Sequence, residues 1–387
     1  MQNFVFHNPT KIIFGRGTVP SIGKESAEFG NRALLVYGQN SIKKNGLHGQ
    51  VVASLAQAGL TVIEHGGVCS NPLLEHVRAG IAKVREHDIQ VIVAVGGGSV
   101  IDTAKAIAAG SPADCDVWNF FIGKQTLKTA LPITTVLTLA ATGSEMNAGT
   151  VITNEASKGK FALSHRLLYP KVSILDPEQT FTVPPSYTAY GAVDAIAHVL
   201  EFYMTTTDED VPVQAELMEG LIRNAMQSCE RCLADPCDYG GRSALMWTAT
   251  LALNGLTGAG LGQTAFPMHM IEHSLSALYN VAHGAGLAVV IPGWLRWRLP
   301  QDAARIARLG RSVFNLVGGT DAERAEQTIL AFRNWFSKVG SPVTLAELNI
   351  PASDTSQIAA NALTLARLWR LDAYSQENIE AVLSLCQ

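Results

Sequence analysis

The chain has 387 residues, of which 47% are hydrophobic and 16% charged, with a formal net charge of -4. That is enough for two or three domains and too apolar for a disordered chain. No run of Lys or Arg exceeds the pair Lys43–Lys44, which excludes nucleic acid and anionic membrane as partners.

The N-terminus, Met1 to Pro9, lacks a basic stretch followed by an apolar core, and no segment reaches the roughly 20 apolar residues that span a bilayer. A cytoplasmic protein without a membrane partner is expected. The six cysteines do not form a disulfide framework, and the lone Cys229-x2-Cys232 pair, with Cys237 nearby, lacks the second pair of a zinc ribbon. Cys229 and Cys232 read as small buried residues of a helix.

In chain order, Lys11–Gly15, Ala33–Tyr37, Thr61–Glu64, Gln90–Val95 and Ile133–Leu137 are β-rich runs bounded by Gly, Asn or Pro and are expected to be strands. Leu73, Leu74, Val77, Ile81 and Val84 recur at helical spacing between them, with Glu75, Arg78 and Arg85 on the other face. Such alternation predicts an α/β Rossmann-like domain, a parallel sheet covered on both faces. Pro184 and Pro185 end this pattern. Beyond them helices are expected over 215–226, 244–253, 303–316, 323–339 and 358–371, in an all-α C-terminal domain. The expected division is 1–183 and 184–387.

Three loops of the first part carry chemistry. Gly96-Gly97-Gly98-Ser99 follows a buried strand and opens a helix, where free N–H groups and the helix dipole favour a phosphate. The same residues also read as a strand-to-helix turn with Ser99 as N-cap and Asp102 as its capping-box acid. The turn Tyr37-Gly38-Gln39-Asn40-Ser41, followed by Lys43 and Lys44, contains no acid to bind the ribose hydroxyls of NAD. Its small polar donors and lysines favour a 2′-phosphate, hence NADP(H). The third loop, Thr138 to Asn147, has small hydroxyl residues suited to packing against a ribose or nicotinamide, whereas Lys160 alone reads as a solvated lysine.

In the helical part, Asp194 and His198 are four apart and share a helix face. His269, His273 and His283 lie within fifteen residues of one another. Imidazoles and a carboxylate without thiolate suit zinc or iron(II), with manganese behind.

These pieces together resemble the iron-containing (group III) alcohol dehydrogenases over essentially the whole chain. The resemblance rests on Phe14-Gly-Arg-Gly17, Gly96-Gly-Gly-Ser-x2-Asp102, Ala141-Thr-Gly-Ser-Glu145, Leu175-Asp-Pro177, Pro185-x2-Thr-Ala-x-Gly-x2-Asp194-Ala-x2-His198-x2-Glu201 and His269-x3-His273-x9-His283-Gly284. Tyr37-Gly and Ser41-x-Lys-Lys-Asn-Gly46 look closest to NADPH-dependent aldehyde reductases and butanol dehydrogenases. The resemblance implies a dehydroquinate synthase-like two-domain plan with a cleft between the domains, and commonly a homodimer. It carries metal ligation onto Asp194, His198, His269 and His283, and pyrophosphate binding onto Gly97, Gly98 and Ser99, with Asp102 supporting that loop. Gly38 and Ser41 fall at the cofactor turn, and Thr138, Thr142 and Lys160 at the nicotinamide half. His273 would sit beside the metal in a proton relay.

The implied reaction is hydride transfer between nicotinamide and a primary alcohol or aldehyde. An NAD(H)-preferring butanol or diol dehydrogenase is the alternative, because Gln39 and Asn40 stand where relatives often carry glycines. A dehydroquinate-synthase-type lyase would want Lys or Arg near the metal helices, and residues 258–286 contain neither. A catalytically silent dinucleotide-binding protein would have a broken ligand set. The apolar residues Phe266, Met268, Met270, Leu275 and Trp247 suggest a short-chain or aliphatic aldehyde.

Overall fold

A computed structural model describes residues 1–208 and 210–387. They form two compact units, one of His7–Val183 with Pro236–Thr250, the other of Met1–Phe6, Pro184–Asp235 and Leu251–Gln387.

The first unit is built on a six-stranded sheet in the order β1-β8-β5-β4-β2-β3. Its strands are β1 (Lys11–Phe14), β2 (Arg32–Tyr37), β3 (Thr61–His65), β4 (Val91–Gly96), β5 (Ile133–Leu137) and β8 (Val172–Leu175), and every pairing is parallel. β4 and β5 are buried throughout, as strands covered by helices on both faces must be. The sequence reading finds five of these strands and misses β8, a four-residue run closed in by Pro170 and by Asp176–Pro177. It also misses the antiparallel hairpin of β6 (Gly149–Asn154) and β7 (Gly159–Ser164), whose mixed small and polar residues give little alternation.

The register positions the candidate loops. Tyr37 of β2 lies opposite Val95 of β4, and Gly96 of β4 opposite Leu137 of β5. The chain steps from β2 outward to β3 and then back across to β4, so the strand order reverses between β2 and β4. A ligand crevice is expected outside the carboxyl ends of the strands at such a reversal.

The second unit is helical, with helices Pro185–Thr205, Pro212–Ala234, Pro267–Tyr279, His283–Phe314, Asp321–Lys338, Thr355–Leu368 and Gln376–Ser384. Helix Asp321–Lys338 starts with a capping box between Thr320 and Glu323. The His283–Phe314 helix is much longer than the expected 303–316 and kinks at Asp302, two residues after Pro300. Glycines let this helix close on its neighbours. A Cβ on Gly284 would lie 2.1 Å from the Tyr190 carbonyl oxygen, and one on Gly286 2.8 Å from the Glu272 Cγ.

The units are not a single cut after residue 183, because residues 236–250 group with the α/β unit. There the Arg16 guanidinium lies 4.0 Å over the Tyr239 ring, Phe14 meets Trp247 edge-on at 6.0 Å, and the Thr250 hydroxyl donates to Glu145 at 2.5 Å. Cys229 and Cys232 are buried in helix Pro212–Ala234. Among those residues no helix is long and apolar enough to cross a membrane.

Candidate functional site

In the helical unit, the Asp194 Oδ1 atom is the centre of a cluster of imidazoles. The Nε2 atoms of His198, His269 and His283 lie 3.6, 3.7 and 3.6 Å from it. Asp194 and His198 come from one face of the Pro185–Thr205 helix, His269 from the Pro267–Tyr279 helix, and His283 is the first residue of the next helix. Asp194, His198 and His269 are each at most 5% exposed.

This arrangement is poorly satisfied by protein alone. Asp194 Oδ1 and His269 Nε2 are buried without a hydrogen-bond partner among the described residues, which costs free energy unless something else fills the gap. A divalent ion bound tetrahedrally at about 2.0–2.2 Å separates its ligand atoms by roughly 3.3–3.6 Å. The oxygen-to-nitrogen separations observed here lie at or just above the upper end of that spacing.

Electrostatics point the same way. Burial would raise the Asp194 carboxyl, but His198, His283 and His269 together hold it well below the usual carboxylate range. Burial pushes the His198 imidazole down to about 3. His269 is driven up to about 9, the neighbouring carboxylates of Asp194 and Glu201 outweighing the effect of its burial. The space between Asp194 and His269 thus favours positive charge.

His273, buried at 4% exposure, stands next to this cluster. Its ring is 6.4 Å from His269 and 5.6 Å from both His283 and Trp369, and its ligating nitrogen groups with atoms of Glu272 and His283 within 4.8 Å. The sequence reading gave no role to Glu201, although it noted the residue, and missed Glu272. Both glutamates are fully buried against the imidazoles of His269 and His283. The available signal was an acid on an otherwise apolar helix, Met268-His-Met-Ile-Glu272. Met268, Met270 and Leu275 are wholly buried core residues, so these three do not mark a substrate wall beside the cluster.

In the α/β unit the glycine loop and the Thr138–Asn147 loop meet. The Thr138 N–H donates to the Gly96 carbonyl at 3.1 Å. A Cβ on Gly97 would lie 3.0 Å from Leu139, and one on Gly98 2.4 Å from the Thr142 hydroxyl. Thr138, Thr142 and Gly96 to Ser99 are therefore brought together. The helix begins at Gly98 with Gly97 as N-cap and no side-chain cap. This corrects the capping-box reading. The Ser99 hydroxyl instead donates to the Ser70 carbonyl, and the Asp102 carboxylate accepts from the Ser144 hydroxyl at 2.6 Å and the Val151 N–H at 2.9 Å. With no side chain capping them, the first N–H groups of the helix are left for an anion.

Behind this loop, Lys105 is completely buried, donating to the Ser144 hydroxyl at 2.9 Å and the Gly149 carbonyl at 2.7 Å. Burial brings its ammonium down to about 8. Lys160, expected to be solvated if alone, is buried on β7 and acts electrostatically on Asp102.

At the turn after β2, Ser41 is exposed at the start of a short helix. The acid absent from this turn is supplied by β3. The Glu64 carboxylate accepts from the Tyr37 hydroxyl at 2.5 Å and pairs with Lys43 at 3.6 Å and His48 at 3.3 Å. The Tyr37 hydrogen bond lowers the Glu64 carboxyl.

The iron-containing alcohol dehydrogenase family model matches residues 9–177, and the C-terminal model of the same family matches residues 188–386. The chain is 41% identical to a probable NADH-dependent butanol dehydrogenase 1 of Bacillus subtilis, over 99% of each chain. It is 37% identical to the NADPH-dependent aldehyde reductase YqhD of Escherichia coli, over 91% of each. The solved structure of NADH-dependent butanol dehydrogenase A from Thermotoga maritima superposes with a TM-score of 0.96 at 44% identity, covering 100% of this chain and 99% of that one. With both halves matched by its models, the chain belongs to the iron-containing alcohol dehydrogenases, a family of NAD(P)-dependent oxidoreductases that act on alcohols and aldehydes with an iron-type metal.

Proposed function

We propose that this chain is an NADP(H)-linked aldehyde reductase, running in reverse as a primary-alcohol dehydrogenase, with one iron(II) ion per chain. The observation that carries the reading is the buried, unpartnered Asp194 Oδ1 with three imidazole Nε2 atoms 3.6–3.7 Å away. Asp194, His198, His269 and His283 would hold the ion, which when bound supplies Lewis-acid polarisation of a carbonyl oxygen. Zinc suits the same donors.

The chain's own residues supply the rest. Gly97, Gly98 and Ser99 cradle the pyrophosphate on the helix N-terminus, and Asp102 holds that loop through Ser144. Thr138, Thr142 and Lys160 orient the nicotinamide half. His273, buried beside the cluster, hands a proton to the product oxygen. The acid-free turn with Gly38, Ser41 and Lys43 supports the 2′-phosphate and so NADP(H).

A specific observation favours a second reading with NAD(H). Glu64 already neutralises Lys43, and relatives named as NADH-dependent butanol dehydrogenases are 41% and 36% identical. A cytoplasmic homodimer is part of the proposal by resemblance to the family. Mixing the iron-loaded enzyme with butanal and either NADPH or NADH, and following nicotinamide absorbance, tests activity and preference together. Elemental analysis of anaerobically purified protein identifies the ion.

A further inference from the structure

Two of the three candidate imidazole ligands are gripped from behind by glutamates with no solvent exposure. Glu201 Oε1 accepts both the main-chain N–H of His269 at 2.8 Å and its Nδ1 at 3.0 Å. Glu272 pairs through Oε2 with Nδ1 of His283 and accepts the Ser276 hydroxyl on Oε1. A neutral imidazole carries its proton on one nitrogen only. A carboxylate at Nδ1 keeps the proton there and leaves the Nε2 lone pair facing Asp194. Gly286 lies so close that its Cβ would stand 2.8 Å from Glu272 Cγ, so this side chain is also hemmed in by the opposite helix.

His198 provides the contrast. Its Nε2 is 3.6 Å from the same Asp194 oxygen, but its Nδ1 is buried with no hydrogen-bond partner among the described residues. Its ring is stacked on His269 at 4.8 Å.

We infer that Glu201 and Glu272 are positioning residues that fix the tautomer and ring orientation of His269 and His283, and thereby set how tightly the site takes a divalent ion. The inference rests on the metal-site reading above. Its reach is beyond the four ligands: the affinity of the site is divided between the donor set and two carboxylates that touch no ion.

The test uses the full-length apo enzyme titrated with Zn²⁺ against a chromophoric chelator, for wild type, Glu201→Gln, Glu272→Gln and the two Ala variants. Wild type should bind one equivalent. The Ala variants should bind roughly 10–100-fold more weakly, and the Gln variants, which keep an acceptor oxygen without the charge, should fall between. NAD(P)H affinity should be unchanged. Long-range ¹⁵N–¹H spectra of the zinc-loaded Gln variants should show altered Nδ1 signals of His269 or His283, which a merely structural role would not produce. Wild-type binding of one equivalent with variant affinities within twofold of it would overturn the inference. Absence of zinc binding by wild type would instead overturn the metal reading beneath it.

Discussion

The Ser144 hydroxyl donates to Asp102 at 2.6 Å while accepting from the Lys105 ammonium at 2.9 Å. One serine thus ties the Thr142 loop to the helix that begins at the glycine cradle. Replacing Ser144 by Ala leaves a buried carboxylate and a buried ammonium each short of a partner. A hydrogen bond to a charged group is worth about 1.5–3 kcal/mol. Ser144→Ala should weaken NADPH binding roughly tenfold or more, measured by fluorescence titration, and leave the metal content unchanged.

The glycine positions separate by the space around them. Gly98→Ala would put a methyl 2.4 Å from the Thr142 hydroxyl and 2.5 Å from its Cγ2, and overpacking of this kind costs about 1–3 kcal/mol. Gly49, exposed in helix Leu47–Gln57 with nothing within 4 Å of a Cβ, should behave oppositely. Gly49→Ala is expected to stabilise by about 0.5–1 kcal/mol. Chemical denaturation of the two variants distinguishes the cases, and Gly98→Ala should also raise the KM for NADPH.

Coenzyme choice should turn on Glu64. Its carboxylate holds Lys43 and the Tyr37 hydroxyl and would oppose a second phosphate charge nearby. Glu64→Gln frees the lysine and should raise the ratio of kcat/KM for NADPH over NADH several-fold. An unchanged ratio would remove Glu64 from the account of specificity.

His65 and His76 stack at 4.1 Å in the α/β unit. Burial, helped by His76, depresses His65 to about 4, and burial also lowers His76. The folded protein therefore takes up a proton on His65 less readily than the unfolded chain does near 6.5. The stabilisation from neutral His65 is complete above about pH 6.5 and is lost as pH falls through about 4. The thermal midpoint should drop across that window, and His65→Phe should flatten part of the drop.

Much of this was legible in the sequence, for identifiable reasons. β4 and the glycine loop were read because a wholly buried strand and a close backbone approach leave only apolar residues and glycine. Asp194 and His198 were read because helical spacing alone puts them on one face. β8 was missed because its burial comes from β1 and β5, which are distant in sequence. Glu272 and the Lys105–Ser144 bond were missed because a buried charge is explained only by a partner that the fold supplies. Residues 236–250 group with the α/β unit, which helical periodicity cannot foretell because it does not say which unit a helix packs against.

The central claim is that Asp194, His198, His269 and His283 hold an ion on which carbonyl reduction depends. The most direct measurement is NADPH oxidation by butanal with wild type and His269→Ala, both purified anaerobically and supplied with iron(II). Turnover should fall by roughly a thousandfold or more in the variant, with the NADPH dissociation constant within twofold of wild type. A His269→Ala enzyme that still reduced butanal at the wild-type rate would contradict the claim.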